Sequence, residues 1–113
     1  MIKIIRERIS EAELKEFLGK PYSDMIKFVV DIQDGVIALG GELHADAEAL
    51  LLEQGCKQSD LWGGNYYPLR EREKKIEYES MINIRPSEKN YSTEVKDPQI
   101  RAQMLALASR LLP

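Results

Sequence analysis

The sequence predicts an α+β fold in which an antiparallel sheet of about five strands packs with three helices. Two stretches support this prediction most strongly. Residues 25–43 place Asp-Gly between two runs rich in β-branched residues, which is the strongest short-range indication of a β-hairpin. Residues 97–111 begin with Asp-Pro and continue with apolar residues at helical spacing, as amphipathic helices do. The length of 113 residues predicts a single domain spanning 1–113.

The chain begins with a predicted strand followed by a predicted helix. Ile2–Arg6 is short and rich in β-branched residues, as strands commonly are. Ser10 and Glu13 have the spacing of a capping box, in which the serine oxygen accepts a helix N–H and the glutamate reaches back to the cap. We therefore expect a helix that begins at Ser10 and ends near Gly19.

The register of the predicted hairpin follows from its turn. A type I′ turn needs positive φ at both central residues, which Asp34-Gly35 suits, so Gln33 should lie opposite Val36. Counting outward places the apolar residues of both strands on one face and a charge-complementary pair on the other. The expected pairs are Ile32 with Ile37, Val30 with Leu39, Phe28 with Gly41, Lys27 with Glu42 and Ile26 with Leu43.

Four further elements complete the prediction. They are a helix over Ala45–Gln54, strands over Leu61–Tyr67 and Ile76–Arg85, and a final helix that begins at Pro98. The order is therefore β-α-β-β-α-β-β-α, whose first six elements match a ferredoxin-like core with one strand and one helix appended. A plainer α+β sheet with helices on one face fits the same order.

The second face of the hairpin is more apolar than a solvent-exposed face needs to be. It carries Val29, Val36 and Ala38 among polar residues. Either a partner subunit or a second helical layer should therefore cover part of this face. We expect a homodimer, with a different protein as the alternative partner.

Composition limits the classes of function. A net charge of -3 argues against a nucleic-acid partner, because such proteins usually present a basic face. The single cysteine, Cys56, excludes an internal disulfide and a cysteine-based zinc cluster; with only one histidine besides, we predict neither a metal nor a cofactor. No run approaches the ~18 apolar residues of a membrane span, and the first residues lack a signal-peptide core. We therefore expect a cytoplasmic protein.

Three stretches of the sequence resemble a known family. They are GVIALGGELHADAEALLLEQG at 35–55, SDLWGGNYYP at 59–68 and MINIRPSEKN at 81–90. Together they are similar to a family of small prokaryotic proteins classed as a domain of unknown function, over nearly the whole chain. The resemblance implies no activity and no site residues, because none are assigned in that family.

The first candidate site surrounds the only histidine. If the strand runs on to His44, Glu42 and His44 point to one side of it, and Asp46 lies in the first turn of the next helix. Three polar groups would then meet where helix N–H groups point outward, which suits an anion or proton transfer better than a metal. The alternative is structural: Asp46 stabilises the helix dipole, Glu42 pairs with Lys27, and His44 belongs to the cap region.

Three other side chains are candidate ligand-binding residues. Trp62 lies beside a Gly-Gly pair, where a tryptophan either binds a partner or fills the core. Asn83 and Arg85 share one side of the predicted strand, and Arg85 could receive a carboxylate or phosphate or form an ordinary surface ion pair. The loop 69–75 mixes basic and acidic residues, which predicts a solvated turn rather than a nucleic-acid patch.

Three classes of function are consistent with these features. The first is a non-enzymatic binding or interaction module that uses its sheet surface or edge. The second is a small-ligand or anion-binding protein that uses His44, the helix start after it, and Arg85. The third is an enzyme with His44 as the acid/base and Glu42 or Asp46 as the residue that orients it. We favour the first class, and we assign no catalytic residue.

Overall fold

The computed structural model describes residues 1–19 and 21–113, which form one five-stranded antiparallel sheet with helices on both faces. The strands are β1 (Ile2–Ile5), β2 (Ile26–Asp31), β3 (Val36–Gly40), β4 (Leu61–Tyr66) and β5 (Ile76–Glu77). The α-helices are α1 (Glu11–Lys15), α2 (His44–Glu53) and α3 (Pro98–Leu111). Short 3₁₀ turns lie at Gln58–Asp60, Arg72–Lys74, Met81–Asn83 and Pro86–Glu88. The predicted fold class and element order are confirmed.

The strand order explains why helices lie on both faces of the sheet. The order is β1-β3-β2-β4-β5, so β1 is parallel to β2 across β3, and β3 is parallel to β4 across β2. The connection from β1 to β2 contains α1, and the connection from β3 to β4 contains α2. These connections start from strands that run in opposite directions, and both lead toward the same edge of the sheet. Crossovers of the same hand therefore place α1 and α2 on opposite faces. A ferredoxin-like core would place β4 beside β1, whereas here β4 pairs with β2.

The β2–β3 hairpin forms as predicted, but the predicted register is wrong by two residues. The observed pairs are Asp31 with Val36, Val30 with Ile37, Val29 with Ala38 and Phe28 with Leu39. The loop thus holds four residues, because Asp31 Oδ1 accepts the N–H groups of Gln33 at 2.9 Å and of Asp34 at 3.0 Å. A shift of two keeps every side chain on its predicted face. The Phe28–Gly41 and Lys27–Glu42 pairs are not formed.

Local capping interactions fix the starts of α1 and α3. Ser10 Oγ accepts the Glu13 N–H at 3.1 Å, and Glu13 Oε1 accepts the Ser10 N–H at 3.3 Å, so the predicted capping box is present. Asp97 Oδ1 accepts the Gln99 N–H at 2.8 Å at the start of α3. Among the described residues, no helix combines the length and apolar character needed to cross a membrane.

Apolar side chains form two layers, one on each face of the sheet. The larger layer packs α1 and α3 against Phe28, Val30, Ile37, Leu39 and Trp62. The smaller layer packs Ala47 and Leu51 of α2 against Val29, Val36, Ala38 and Leu61. The second helical layer that we considered for the hairpin is therefore α2, which leaves Val29 and Ala38 fully buried.

The predicted strand Ile76–Arg85 is wrong beyond its first two residues. Only Ile76 and Glu77 pair with β4, opposite Tyr66 and Asn65. The rest of the segment contains one 3₁₀ turn, Met81–Asn83, and isolated bridges join Glu79 to Glu94 and Arg85 to Asn90. The edge of β4 beyond β5 is covered by side chains instead, as described below.

Gly64 provides the bare backbone over which the Phe28 ring lies, and it stands opposite Phe28 where the predicted register has Gly41. A Cβ at Gly64 would be 2.6 Å from Phe28 Cζ and 2.7 Å from the Glu77 carbonyl oxygen. Both distances are shorter than ordinary contacts, so any side chain at Gly64 would displace its neighbours.

We expect Gly64→Ala to lower the free energy of unfolding by about 1–3 kcal/mol, the usual cost of overpacking. Urea denaturation measures the loss. The same substitution in a Phe28→Leu background should cost less, because the ring atom that meets the new methyl group is gone, although the Glu77 carbonyl remains. Equal costs in the two backgrounds would contradict the role assigned to the Phe28 ring.

Candidate functional site

His44 is buried at the start of α2, where packing and one hydrogen bond account for it. It is 9% exposed and begins the buried stripe that continues with Ala47 and Leu51. Its Nε2 lies 2.7 Å from the Gly64 carbonyl oxygen, and since a carbonyl only accepts, Nε2 carries the proton. The ring edge lies over Gly63, where a Cβ would be 3.2 Å from His44 Cδ2. Among the described residues, no carboxylate is hydrogen-bonded or ion-paired to the imidazole, as an acid/base pair would require.

Glu42 and Asp46 do not join His44 in a common site. Both side chains are exposed. Glu42 makes no ion pair with Lys27, whose Nζ instead lies 5.4 Å from the centroid of the Tyr22 ring. Asp46 lies in the first turn of α2, where a negative charge stabilises the helix dipole. The structure therefore does not bring these three candidates together.

Burial lowers the pKa of His44 below its usual value of 6.5; the Gly64 carbonyl opposes this effect and Lys27 adds to it. The unfolded chain therefore binds a proton more readily than the folded one. We expect the free energy of unfolding to be fully retained above pH 6.5 and to fall as the pH drops through that value. Urea denaturation between about pH 7.5 and about pH 5.5 checks this, because no other side chain has an ordinary pKa in that interval. In His44→Gln the fall should be absent; an unchanged slope would contradict the assignment.

Asn83 satisfies the edge of β4 as a neighbouring strand would. Its side chain is fully buried. Oδ1 accepts the Gly63 N–H at 2.8 Å, while Nδ2 donates to the Gly63 carbonyl at 2.9 Å and to the Thr93 carbonyl at 3.0 Å. Asn90 in turn donates from Nδ2 to the Asn83 carbonyl at 2.8 Å. These amides hold the 80–96 segment against β4, and nothing in their sequence context distinguished Asn90 in advance.

Arg85 is buried among backbone carbonyls and does not face an open cleft. Its Nη1 donates to Gln58 O at 2.9 Å and to Leu61 O at 2.8 Å, and its Nη2 donates to Ile82 O at 3.0 Å. Nη2 also lies 3.5 Å from Glu48 Oε2 on α2. Burial lowers the pKa of Arg85, and the Glu48 charge opposes this effect. The guanidinium thus joins α2, β4 and the 81–83 turn, and both of its Nη atoms are engaged within the chain.

Trp62 lies in the core, as the structural alternative predicted, with 1% of its surface exposed. The Arg85 guanidinium lies 4.8 Å from the centroid of its indole ring. The interaction adds a cation–π contact to the hydrogen bonds of Arg85. Trp62, Asn83 and Arg85 are therefore close in space, but they stabilise one edge of the sheet.

Within residues 1–19 and 21–113, one cluster has ligand atoms close enough to share a metal ion. It consists of Asp31, Asp34 and Cys56, with atoms within 4.8 Å of one another. Asp31 already closes the hairpin loop through its Oδ1. Burial, followed by a hydrogen bond with Asp31, raises the pKa of the Cys56 thiol to about 12. Since a thiol binds metal as the thiolate, this environment disfavours Cys56 as a ligand.

A pocket of about 490 Å³ lies between the C-terminal end of α3 and the turn that joins β4 to β5. Four basic side chains line it: Arg8, Arg70, Arg72 and Lys75. Its apolar surface comes from Ile76, Leu105, Ala108 and Leu112. No aspartate or glutamate of residues 1–19 and 21–113 lines this cationic pocket, although the chain as a whole carries a net charge of -3.

The four basic groups of the cationic pocket differ in how far they are already engaged. Arg8 Nη1 donates to the Ser109 carbonyl at 2.8 Å and so satisfies the end of α3. Arg70 Nη1 lies 3.6 Å from Glu77 Oε2. Arg72 and Lys75 form no ion pair with any described residue. An anion between these like charges would relieve their mutual repulsion.

The sequence did not reveal this pocket, because its charges come from distant parts of the chain. Arg8 follows β1, whereas Arg70, Arg72 and Lys75 belong to the loop that we had interpreted as a solvated turn. The Tyr67 N–H donates to the Lys75 carbonyl at 2.7 Å and closes that turn beside α3. The one available indication was the density of basic residues at 70–75.

Comparison with known proteins gives a family and no activity. A family model described as "Protein of unknown function (DUF5674)" matches residues 3–111. The expected membership in a family of unknown function is therefore confirmed. No curated protein and no solved structure matches the chain significantly.

Proposed function

We propose that this chain, which belongs to the DUF5674 family, is a non-enzymatic binding module that receives anionic groups in the cationic pocket. The observation that supports this most directly is the convergence of four basic side chains, with no acidic one, over an apolar surface. Such a combination suits an anion that also has an apolar part.

The composition of the pocket also supports binding over catalysis. Among the described residues, none that lines it has a carboxylate, imidazole or thiol side chain, the groups that most often serve as general bases or nucleophiles. His44, the centre of the enzyme alternative, is engaged with the Gly64 carbonyl. Arg85, the anion receptor of the second alternative, donates to three carbonyls.

The homodimer and the cytoplasmic location remain predictions. The Val29, Val36 and Ala38 face that we had offered for dimerisation is covered by α2, so a dimer would need another surface. Sedimentation equilibrium tests the dimer independently of the cationic pocket.

Thermal unfolding in the presence of inorganic phosphate, sulfate or citrate at low salt tests the proposal. We expect at least one of these anions to raise the unfolding temperature, because a ligand that binds only the folded state stabilises it by mass action. The double variant Arg72→Gln/Lys75→Gln should lose the increase, since it removes the two cations that have no ion-pair partner among the described residues.

The matched control is Arg6→Gln/Lys74→Gln. It changes the net charge equally, and neither residue lines the pocket. This control should keep the anion effect. An equal loss in both double variants, or no effect of any anion on the wild type, would overturn the proposal.

A further inference from the structure

The cationic pocket is the middle of a longer groove. On one side it shares Arg72, Ile76, Leu105 and Ser109 with a cleft of about 590 Å³ that also includes Tyr78. On the other side it shares Lys75 and Pro113 with a smaller cleft of about 160 Å³. The groove therefore runs along α3 and past the β4–β5 turn toward α1.

The two ends of this groove are more apolar than its centre, although each end also carries one glutamate, Glu73 in the larger cleft and Glu11 in the smaller one. Beyond the central cations, the smaller cleft is lined by Leu14, Leu18, Pro68 and Leu69. Two large apolar side chains are solvent-exposed along the groove, Leu69 at 77% and Leu105 at 47%. Exposed leucines beside unpaired cations leave both apolar surface and positive charge for a partner to cover.

The size and openness of the groove favour an extended partner over a small molecule. The two larger clefts, of about 490 Å³ and about 590 Å³, adjoin each other and are both open to solvent, whereas a small-molecule site usually encloses most of its ligand. An extended chain segment can place charged groups at the centre and apolar side chains at both ends.

Nucleic acid fits the groove less well, because the aromatic side chains of the groove are not free to stack on bases. Two tyrosines line it, and the Arg101 guanidinium lies 4.8 Å from the centroid of the Tyr78 ring. Tyr66 is 4% exposed. Single-stranded nucleic acid is bound largely by base stacking on exposed aromatic rings.

We propose that the groove docks an extended segment of a partner protein that carries consecutive carboxylates flanked by apolar side chains. The carboxylates would meet Arg70, Arg72 and Lys75, and the flanking side chains would cover Leu69 and Leu105. This inference rests on the proposed function, because it uses the same cations, and it adds the class of the ligand.

Fluorescence anisotropy with labelled synthetic peptides tests the inference on the full chain. One peptide carries a run of glutamates between leucine pairs, and the second has serines in place of the leucines. We expect the leucine-flanked peptide to bind about tenfold more tightly, since each buried leucine adds favourable apolar area. Arg72→Gln/Lys75→Gln should abolish binding of both peptides. Leu105→Ser should remove part of the difference between them, because Leu69 remains at the other end.

Leu52→Ser is the matched control, because Leu52 is a similarly exposed leucine, at 40%, on α2 across the sheet. It should leave both affinities unchanged. Equal affinity for the two peptides, lost in the double variant, would overturn the inference and leave the proposed function standing. If citrate binds and neither peptide does, the inference is likewise overturned and the proposed function stands. Tighter binding of an oligothymidylate would also overturn the inference, and no binding of any probe would remove both proposals.

Discussion

Replacing Asn83 by leucine is expected to lower the free energy of unfolding by about 3–5 kcal/mol. Leucine has the branched shape of asparagine with the same number of side-chain heavy atoms but a larger volume, so the substitution removes the hydrogen bonds and adds some overpacking. It would leave the Gly63 N–H, the Gly63 carbonyl and the Thr93 carbonyl without the partner that now lies within 3.0 Å. Each buried backbone group that loses its partner costs about 1–3 kcal/mol.

Urea denaturation of Asn83→Leu, followed by two independent probes, measures this loss. Met81→Ala is the matched control, since Met81 belongs to the same 3₁₀ turn but is 73% exposed. It should change stability by less than about 0.5 kcal/mol. Asn83→Asp keeps the acceptor for Gly63 and loses both donations from Nδ2, so it too should be strongly destabilised. A loss below about 1 kcal/mol in Asn83→Leu would show that the 80–96 segment does not depend on this side chain.

Asn83 also shows where prediction from the sequence stopped. The alternation of apolar residues from Ile76 onward is a valid indication of a strand, and the first two residues do pair with β4. Beyond them, the polar residues at 83 and 85 decide the structure, because their side chains provide the hydrogen bonds that a strand backbone would have provided. Periodicity shows which side chains are apolar, but it does not show where side-chain hydrogen bonds replace those of a strand backbone.

Most features of the β2–β3 hairpin, in contrast, could be predicted from the sequence. Its existence, its two faces and its covering layer followed from the pattern of apolar residues, since a shift of two along a strand leaves the faces unchanged. Its register did not follow, because the Asp31 carboxylate closes a four-residue loop where Asp34-Gly35 alone suggested a two-residue turn. A strand residue that caps a loop has no distinctive spacing in the sequence.

The candidate sites were the least predictable feature. Sequence proximity grouped Glu42, His44 and Asp46, yet burial of His44 and exposure of the two acids separate them. The cationic pocket brings Arg8, which follows β1, next to the turn that joins β4 to β5 at the other end of the strand order. Residues so far apart in the sequence can be seen to meet only once the fold is known.

Arg85→Met is expected to destabilise the protein by a similar amount, about 3–5 kcal/mol, because it removes the cation from a buried ion pair and leaves the other partners in place. Three carbonyls lose their donor, and the Glu48 carboxylate, 3.5 Å away, loses its nearby positive charge. Arg85→Lys should cost less than Arg85→Met, since it keeps the charge, but lysine cannot reach three carbonyls with the planar geometry of arginine. Urea denaturation of both variants measures the two losses in the free energy of unfolding and so gives their order.

A double-mutant cycle with Glu48→Gln separates the ion pair from the carbonyl contacts. Without Arg85 the Glu48 carboxylate is an uncompensated charge beside the core, so the neutral glutamine should recover part of the loss caused by Arg85→Met. The double variant should therefore be more stable than the sum of the two single losses predicts, by about 1 kcal/mol or more. Strict additivity would show that Arg85 acts through the Gln58, Leu61 and Ile82 carbonyls alone. In that case the ion pair between Arg85 and Glu48 would not stabilise the contact between α2 and the 80–96 segment.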